Sequence, residues 1–310
     1  MPRTSPRKQP LFPSSPQQFP PVSGRWLLKA FTLSILVAVL CAYAALCVLF
    51  YEAQWQLVLH PDRDTSTPST INGAPFEFIH FAPDDSGLPQ LTGWWIPAAP
   101  GAAYPHITIL YLHGGDHSLH HSAPELAQLH KVGLSVFALD YRGYGQSAAI
   151  HPSEQRMTED TEAALRYLIT TRHLEQNKIL LFGAGVGTSL AAHLAAAHPE
   201  ISALILQSPE VDLLEHVSRD PRTSLLPLHL LFTQRFTLTA PLSVLPTPKL
   251  LLMESSSTPP AFVSAAAPKT TVEFATADLA RYTRALSRFL DQYLPPQRLP
   301  TLLPERTPAR

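Results

Sequence analysis

Outside one apolar run the chain has no thiol, because its two cysteines, Cys41 and Cys47, both lie within that run. A disulfide framework or a cysteine-based metal centre is therefore excluded from the remainder. Concentrated positive charge is missing too: 23 lysines and arginines stand against 24 acids, for a net charge of −1. No basic stripe offers the footprint that a phosphate backbone demands, so nucleic acid is not an expected partner. Histidines number 14, yet none follows His229. No internal repeat is visible. What the 310 residues do supply is apolar content, at 45%. That suffices for one core of about 200 to 250 residues with extra segments attached.

From Ala30 to Tyr51 runs a stretch of 22 residues without a charge. At about 1.5 Å of rise per residue it is long enough for a hydrocarbon core of about 30 Å. A retained transmembrane helix is the expectation. The competing reading is a cleaved signal peptide, for which Ala42-Tyr43-Ala44 supplies a small-x-small site. That site falls mid-run, with Leu46, Val48, Leu49 and Phe50 still to come. Arg3, Arg7, Lys8, Arg25 and Lys29 precede the run and Glu52, Asp62 and Asp64 follow it. The positive-inside rule then places the N-terminus in the cytoplasm and the main domain on the outer side, be it periplasmic, extracellular or lumenal. The bilayer is thus an expected partner. Residues 1–29 are expected to be a disordered tail, given Pro2, Pro6, Pro10, Pro13, Pro16, Pro20 and Pro21, with a docking motif as the alternative. Residues 30–51 form the anchor, 52–294 the folded domain, and 295–310 a second proline-rich tail.

Within the domain, short apolar runs alternate with helix-length segments, the pattern of a mostly parallel sheet covered on both faces. Strands are expected at Phe76–Phe81, Leu91–Ile96, Ile107–Leu112, Ser135–Leu139, Ile179–Phe182, Ala203–Leu206, Leu250–Met253 and Val272–Phe274. Helices are expected at Ser153–Leu168, with its acids early and Arg166 late, at Val186–Ala197, and at Asp278–Leu294. In such sheets ligands bind beyond the carboxyl ends of the strands. Three strand exits carry chemistry there: His113-Gly114-Gly115-Asp116; Asp140-Tyr141-Arg142-Gly143-Tyr144-Gly145-Gln146-Ser147; and Gly183-Ala184-Gly185-Val186-Gly187, which runs straight into a helix.

In that order these motifs resemble the α/β-hydrolase superfamily, particularly its single-pass anchored, serine-peptidase-like branch. Leu59-His60-Pro61, Gly93-Trp94-Trp95-Ile96-Pro97 and Leu206-Gln207-Ser208-Pro209 agree, and the likeness spans residues 50 to 294. It implies an α/β fold with a mostly parallel eight-stranded sheet, helices on both faces and one preceding transmembrane helix. It also implies a nucleophile elbow of the form Gly-x-Ser-x-Gly, where this chain has Gly185. The family's acid belongs after the strand at Leu250–Met253, a segment reading Glu254-Ser255-Ser256-Ser257-Thr258. Thr258 takes the acid's expected position, with Glu254 and Asp212 as open alternatives. The histidine belongs after the last strand, where Thr276 or Ala277 stands. By the same resemblance, the backbone N–H groups of Gly115 and Val186 would be oxyanion donors, and His113 and Asp116 would join them in a ligand pocket.

A non-catalytic hydrolase-like module, binding an unidentified small-molecule or protein ligand, is the resulting expectation. Hydrolysis of carboxylic esters or peptides by a non-standard site is the alternative. His113, Asp116, His117, His120 and His121 offer imidazole and carboxylate to a transition metal, but they lack the fixed helical spacing of a known motif, so neither a metal nor another cofactor is expected. Thr188 and Ser189 follow the elbow but should point along the helix, away from substrate. Tyr141, Arg142 and Tyr144 are expected to brace their loop. The leucine-rich segment from Val211 to Leu245 would wall the cleft or face a lipid surface.

Overall fold

A computed structural model describes residues 23–210, 213–254, 258–274 and 278–294. The chain divides into two compact units, Met1–Leu49 and Phe50–Arg310. In the first, the described residues belong almost wholly to helix α1 (Gly24–Ala53), of which no residue is buried. Its length and apolar composition suffice to cross a membrane, a build that anchors and signal sequences share. Two of its hydroxyls are satisfied internally, with Thr32 Oγ1 donating to the Leu28 carbonyl and Ser34 Oγ to that of Ala30. The helix corrects one expected boundary. Residues 24–29, expected in the tail, are helical, because the charges of Arg25 and Lys29 end the apolar run without ending the helix. Ser23 Oγ accepts from the Trp26 N–H and supplies the cap. The remaining tail residues, 1–22 and 295–310, lie outside the described set.

The second unit holds eight strands: β1 (Glu77–Pro83), β2 (Pro89–Ile96), β3 (Thr108–Leu112), β4 (Ser135–Asp140), β5 (Ile179–Ala184), β6 (Ala203–Gln207), β7 (Lys249–Met253) and β8 (Lys269–Glu273). They form one sheet in the order β1-β2-β4-β3-β5-β6-β7-β8. The first two pairings, β1 with β2 and β2 with β4, are antiparallel, and the remaining five are parallel. The longer helices are α2 (Ala123–Val132), α3 (Glu154–Thr170) and α4 (Gly187–Ala197). Short helices α5 (Leu213–Ser218), α6 (Leu228–Leu231) and α7 (Thr239–Val244) separate β6 from β7, α8 (Pro260–Val263) separates β7 from β8, and α9 (Leu279–Tyr293) follows β8.

Strand periodicity sorts the core into two layers, since successive side chains leave a strand on opposite faces. Leu110 and Leu112 of β3, with Leu181, Leu204 and Leu251, pack against α3, α4 and α7 through Leu165, Leu190 and Leu242. Ile109 and Tyr111, with Leu180, Phe182, Ile205 and Leu252, pack against α2 and α9 through Leu129, Leu286 and Phe289. Both faces being covered, the central strands read as unbroken apolar runs rather than alternations. Two helix starts are capped as their sequences suggest: Ser153 Oγ accepts from Arg156 N–H ahead of α3, and Asp278 Oδ1 from Arg281 N–H ahead of α9.

All eight expected strands are present, but the last is displaced. It was placed at Val272–Phe274 and runs from Lys269 to Glu273. As an edge strand it is largely exposed, so Lys269, Thr270 and Thr271 pair with β7 without any apolar signal. The expected vacant base position, Thr276, lies outside the described residues, as does Asp212.

Leu286 is fully buried between α9 and the sheet. Leu286→Ala should lower the unfolding free energy by about 2–5 kcal/mol, the usual cost of such a cavity, read from the midpoint shift in urea.

Candidate functional site

Three strands end at one rim. Parallel register sets Leu112, the last residue of β3, beside Gly183 of β5, and Ala184 beside Gln207 of β6. The chain then turns sharply at Gly185, where φ is +52°, and enters α4. The flanking glycines are required by distance. A Cβ on Gly183 would come 2.4 Å from the Gly187 carbonyl oxygen, and one on Gly187 would come 2.2 Å from that of Leu112. Only bare backbone allows the helix to start this close to its neighbours. The turn is held by the Gly185 N–H donating to the Gln207 carbonyl at 3.2 Å.

Above the turn lies a carboxylate that the sequence did not single out. Glu210 Oε1 stands 3.0 Å from the point where a Cβ on residue 185 would sit, and the Gly114 Cα stands 3.3 Å from it. The Glu210 carboxylate thus crowds the space of a residue-185 side chain. Its carboxyl is pushed above the usual range, first by burial and then by the charge of Asp116, against the opposing pull of His60. Glu210 also lines a 450 Å³ cavity with Leu213, Leu214, Phe236, Leu238 and Ala261. The segment from Leu213 to Leu238 therefore contributes an apolar wall beside the turn.

The His113–Asp116 turn meets the same place from β3. Gly115 packs on Val186, whose Cγ2 lies 3.4 Å from the Cβ position of Gly115, and on Leu59. Its carbonyl accepts from the Tyr144 hydroxyl at 2.7 Å and from the His60 N–H at 2.8 Å. Asp116 Oδ1 is 3.0 Å from His60 Nδ1 on the exposed rim. His113 departs from its expected place in a ligand pocket. Its ring is buried, tilted against Tyr141 at a centroid distance of 4.4 Å and edge-on to Tyr144 at 5.1 Å, and its Nδ1 is 2.7 Å from the Gly114 carbonyl. The tyrosines that close over it turn the imidazole towards the interior, so it supports the turn from below.

The β4 loop braces the site as expected. Tyr141 donates to the His113 carbonyl, while Arg142 holds Asp160 of α3 through both its backbone N–H and Nε, at 2.9 and 2.6 Å. Thr188 Oγ1 donates to the Gly185 carbonyl at 2.6 Å and Ser189 Oγ to that of Thr237 at 2.8 Å, both fully buried. Their hydroxyls are committed to the backbone. Beyond β7, Thr258 is partly exposed and Glu254 exposed; the Glu254 charge acts on Glu125 of α2, whose carboxyl accepts from Tyr111 and is raised chiefly by burial. Among the described residues, Glu210 is a carboxylate that reaches the turn, with Asp116 close enough to act on it.

Comparison with known proteins follows this geometry. A strand–elbow–helix at the carboxyl edge of such a sheet defines an α/β-hydrolase-class protein. The family profile described as serine aminopeptidase, S33, matches residues 103–304, and the chain belongs to that family. An uncharacterised protein of Mycobacterium tuberculosis is 31% identical over 180 residues, covering 58% of this chain and 62% of the relative. The α/β-hydrolase domain-containing protein WAV2 of Arabidopsis thaliana is 30% identical, covering 57% of each. Protein bem46 of Schizosaccharomyces pombe is 34% identical over a third of each chain. The chain therefore spans about three-fifths or less of these relatives. Among solved structures, an esterase of Pyrococcus furiosus superposes with a TM-score of 0.57 at 16% identity, covering 76% of this chain and 99% of the esterase. A lidless serine hydrolase of Xanthomonas campestris gives 0.52 at 16%, covering 75% and 99%. At that identity the likeness is one of fold, and fold does not transfer activity.

Two outcomes follow from the site. Gly185→Ser should lose about 1–2 kcal/mol of stability from the left-handed backbone, and Glu210→Ala in the same chain should restore any additional loss due to crowding, both measured by chemical denaturation. The second concerns Asp140. Burial raises its carboxyl to about 7, helped by the Asp62 charge and opposed by the Leu119 N–H and by Arg63. Burial also lowers His113, which lies 3.9 Å away, to about 4. The folded state thus holds an Asp140 proton that the unfolded state has released, and the stability this gives is lost as pH rises through 7. Asp140→Asn keeps an acceptor for Leu119 and removes the titration. The stability advantage of the parent over this variant should shrink between pH 4.5 and 7.5, as read from unfolding free energies across that range.

Proposed function

We propose that this chain is a membrane-anchored, non-catalytic member of the hydrolase family, whose domain serves as a binding or scaffold module. The observation that carries this reading is the pairing at the elbow: glycine at 185, with the Glu210 carboxylate crowding the space a side chain there would enter. A hydrolase of this fold needs a hydroxyl there, an acid, and an imidazole after the last strand. The chain has no histidine beyond His229, and that residue follows β6. Losing nucleophile or base costs a triad enzyme about 10⁶-fold in turnover and leaves only about 10³ to 10⁴ over water.

The helix Gly24–Ala53 serves this role as a retained anchor, with the domain on the side opposite the basic N-terminal residues. The cavity beside Glu210 sets that carboxyl and Arg235 at the edge of leucine and phenylalanine side chains, with Thr237 and Thr239 beside them. That suits a ligand with an apolar body and a hydrogen-bonding or cationic end. A small molecule or a protein segment of that chemistry is the partner proposed.

The test is exposure of the purified full-length chain to a fluorophosphonate probe and a panel of carboxylic esters and peptides. No stoichiometric labelling and no turnover above a heat-denatured control are expected, and Gly185→Ser alone should not establish turnover. Stoichiometric labelling of the parent chain, or turnover that survives repurification, favours instead a hydrolase with a non-standard site.

A further inference from the structure

We propose that Asp62, His117 and His121 form a binding site for a divalent transition metal of the zinc class, a site that spacing in the sequence alone argued against. The carboxylate comes from the segment ahead of β1 and the imidazoles from the turn that follows Asp116. His121 lies in a single 3₁₀ turn, Leu119–Ser122. The three ligand atoms lie within 4.8 Å of one another. Asp62 Oδ2 is 3.4 Å from His117 Nδ1 and 3.5 Å from His121 Nδ1.

Those two distances decide between a hydrogen-bonded cluster and a coordination site. An N–H donating to a carboxylate settles at about 2.7–3.0 Å, and neither contact reaches it. Ligands bound at about 2.0–2.2 Å in a tetrahedron stand about 3.3–3.5 Å from one another. The two oxygen–nitrogen separations fall in that range, and the two nitrogens lie within 4.8 Å of each other. The two imidazoles are stacked, with ring centroids 4.5 Å apart and planes 26° from parallel, so both present Nδ1 to the same oxygen.

The carboxylate is oriented from behind. Its other oxygen, Oδ1, accepts from the backbone N–H groups of Ser118 at 3.2 Å and Asp64 at 3.3 Å, leaving Oδ2 for the ion. Outer contacts of this kind fix ligand geometry in metal sites. The Asp62 carbonyl accepts from the Gly145 N–H at 2.9 Å, which fixes the segment to the β4 loop. With side chains 62% and 47% exposed, His117 and His121 leave room for water to complete the shell. Imidazole with carboxylate suits zinc and cobalt(II), and not calcium or magnesium, which select oxygen. This inference does not rest on the reading of the cleft.

The test uses the untagged full-length chain in detergent micelles, stripped with a chelator and titrated with Zn²⁺ against a chromophoric competitor, then with Co²⁺ for its visible absorption. One equivalent of zinc per chain and four-coordinate cobalt bands are expected. His117→Ala and His121→Gln should each weaken zinc at least about tenfold, the lower end of what even an outer-shell change costs, and abolish the cobalt bands. Exposed His106→Ala should change neither, and circular dichroism melts of all variants confirm that the loop changes leave the fold intact. Absence of stoichiometric binding, or affinity undiminished in the His117→Ala, His121→Ala double variant, overturns the assignment.

Discussion

The contact on which the carboxyl edge of the sheet depends is the backbone-on-backbone crossing of Gly187 and Leu112. With a Cβ position 2.2 Å from the Leu112 carbonyl oxygen, residue 187 cannot carry a side chain unless α4 moves away from β3. Gly183 imposes the same condition from the strand side. These two positions fix where α4 begins and hence where the turn at 185 projects. The projection does not depend on what residue 185 is. The scaffold of a nucleophile elbow can therefore persist while the side chain at its tip is lost, and glycine at φ +52° even relieves it of about 1–2 kcal/mol of backbone strain. A family resemblance that rests on the flanking glycines reports the scaffold.

Electrostatics around the turn follow from burial more than from pairing. Asp140 and His113 face one another across 3.9 Å, beyond hydrogen-bond reach, and burial drives them in opposite directions, the acid up and the imidazole down. Each is pushed towards its neutral form, the form in which a buried group avoids the cost of desolvating a charge. Glu210 is raised for the same reason, with Asp116 adding to it. A hydrolase site needs an acid that stays ionised beside an imidazole that gains a proton. Here the buried groups beside the turn are instead both shifted towards neutrality.

The fold was legible because its signals are local. Unbroken apolar runs such as Ile179–Phe182 mark strands covered on both faces, and Ser153 and Asp278 mark helix starts. Where the signal was non-local it was lost. β8 carries polar residues because an edge strand is held by its ladder to β7, and the ladder leaves no trace in hydropathy. At the site, the glycines and tyrosines could be read because their roles depend on neighbours in their own motif. Glu210 could not, since it reaches residue 185 from beyond β6 and only the sheet order brings those exits together. His113 was misplaced for a related reason: that its ring turns inward is decided by Tyr141 and Tyr144, 28 and 31 positions away along the chain. Asp62 illustrates the same limit, being 55 positions from His117.

Residues 54–62 tie these observations together physically. Gln54 is buried, donates to the Leu231 carbonyl at 3.1 Å and accepts from the Thr233 N–H at 2.6 Å, so it holds the segment ahead of α7 that walls the cavity. Leu59 and His60 pack on and bond to Gly115, and Asp62 holds Ser118 and Gly145. One short stretch thus engages three of the loops at the carboxyl edge, mostly through backbone groups whose bonds are costly to leave unmade once buried. In an enzyme of this fold those loops would be shaped by substrate and triad. The strap supplies a reason of its own for the loops to keep their geometry: they are held by the segment that follows the apolar helix. The cleft's loops are thus tied together before any ligand arrives, which lowers the ordering cost that binding would otherwise carry.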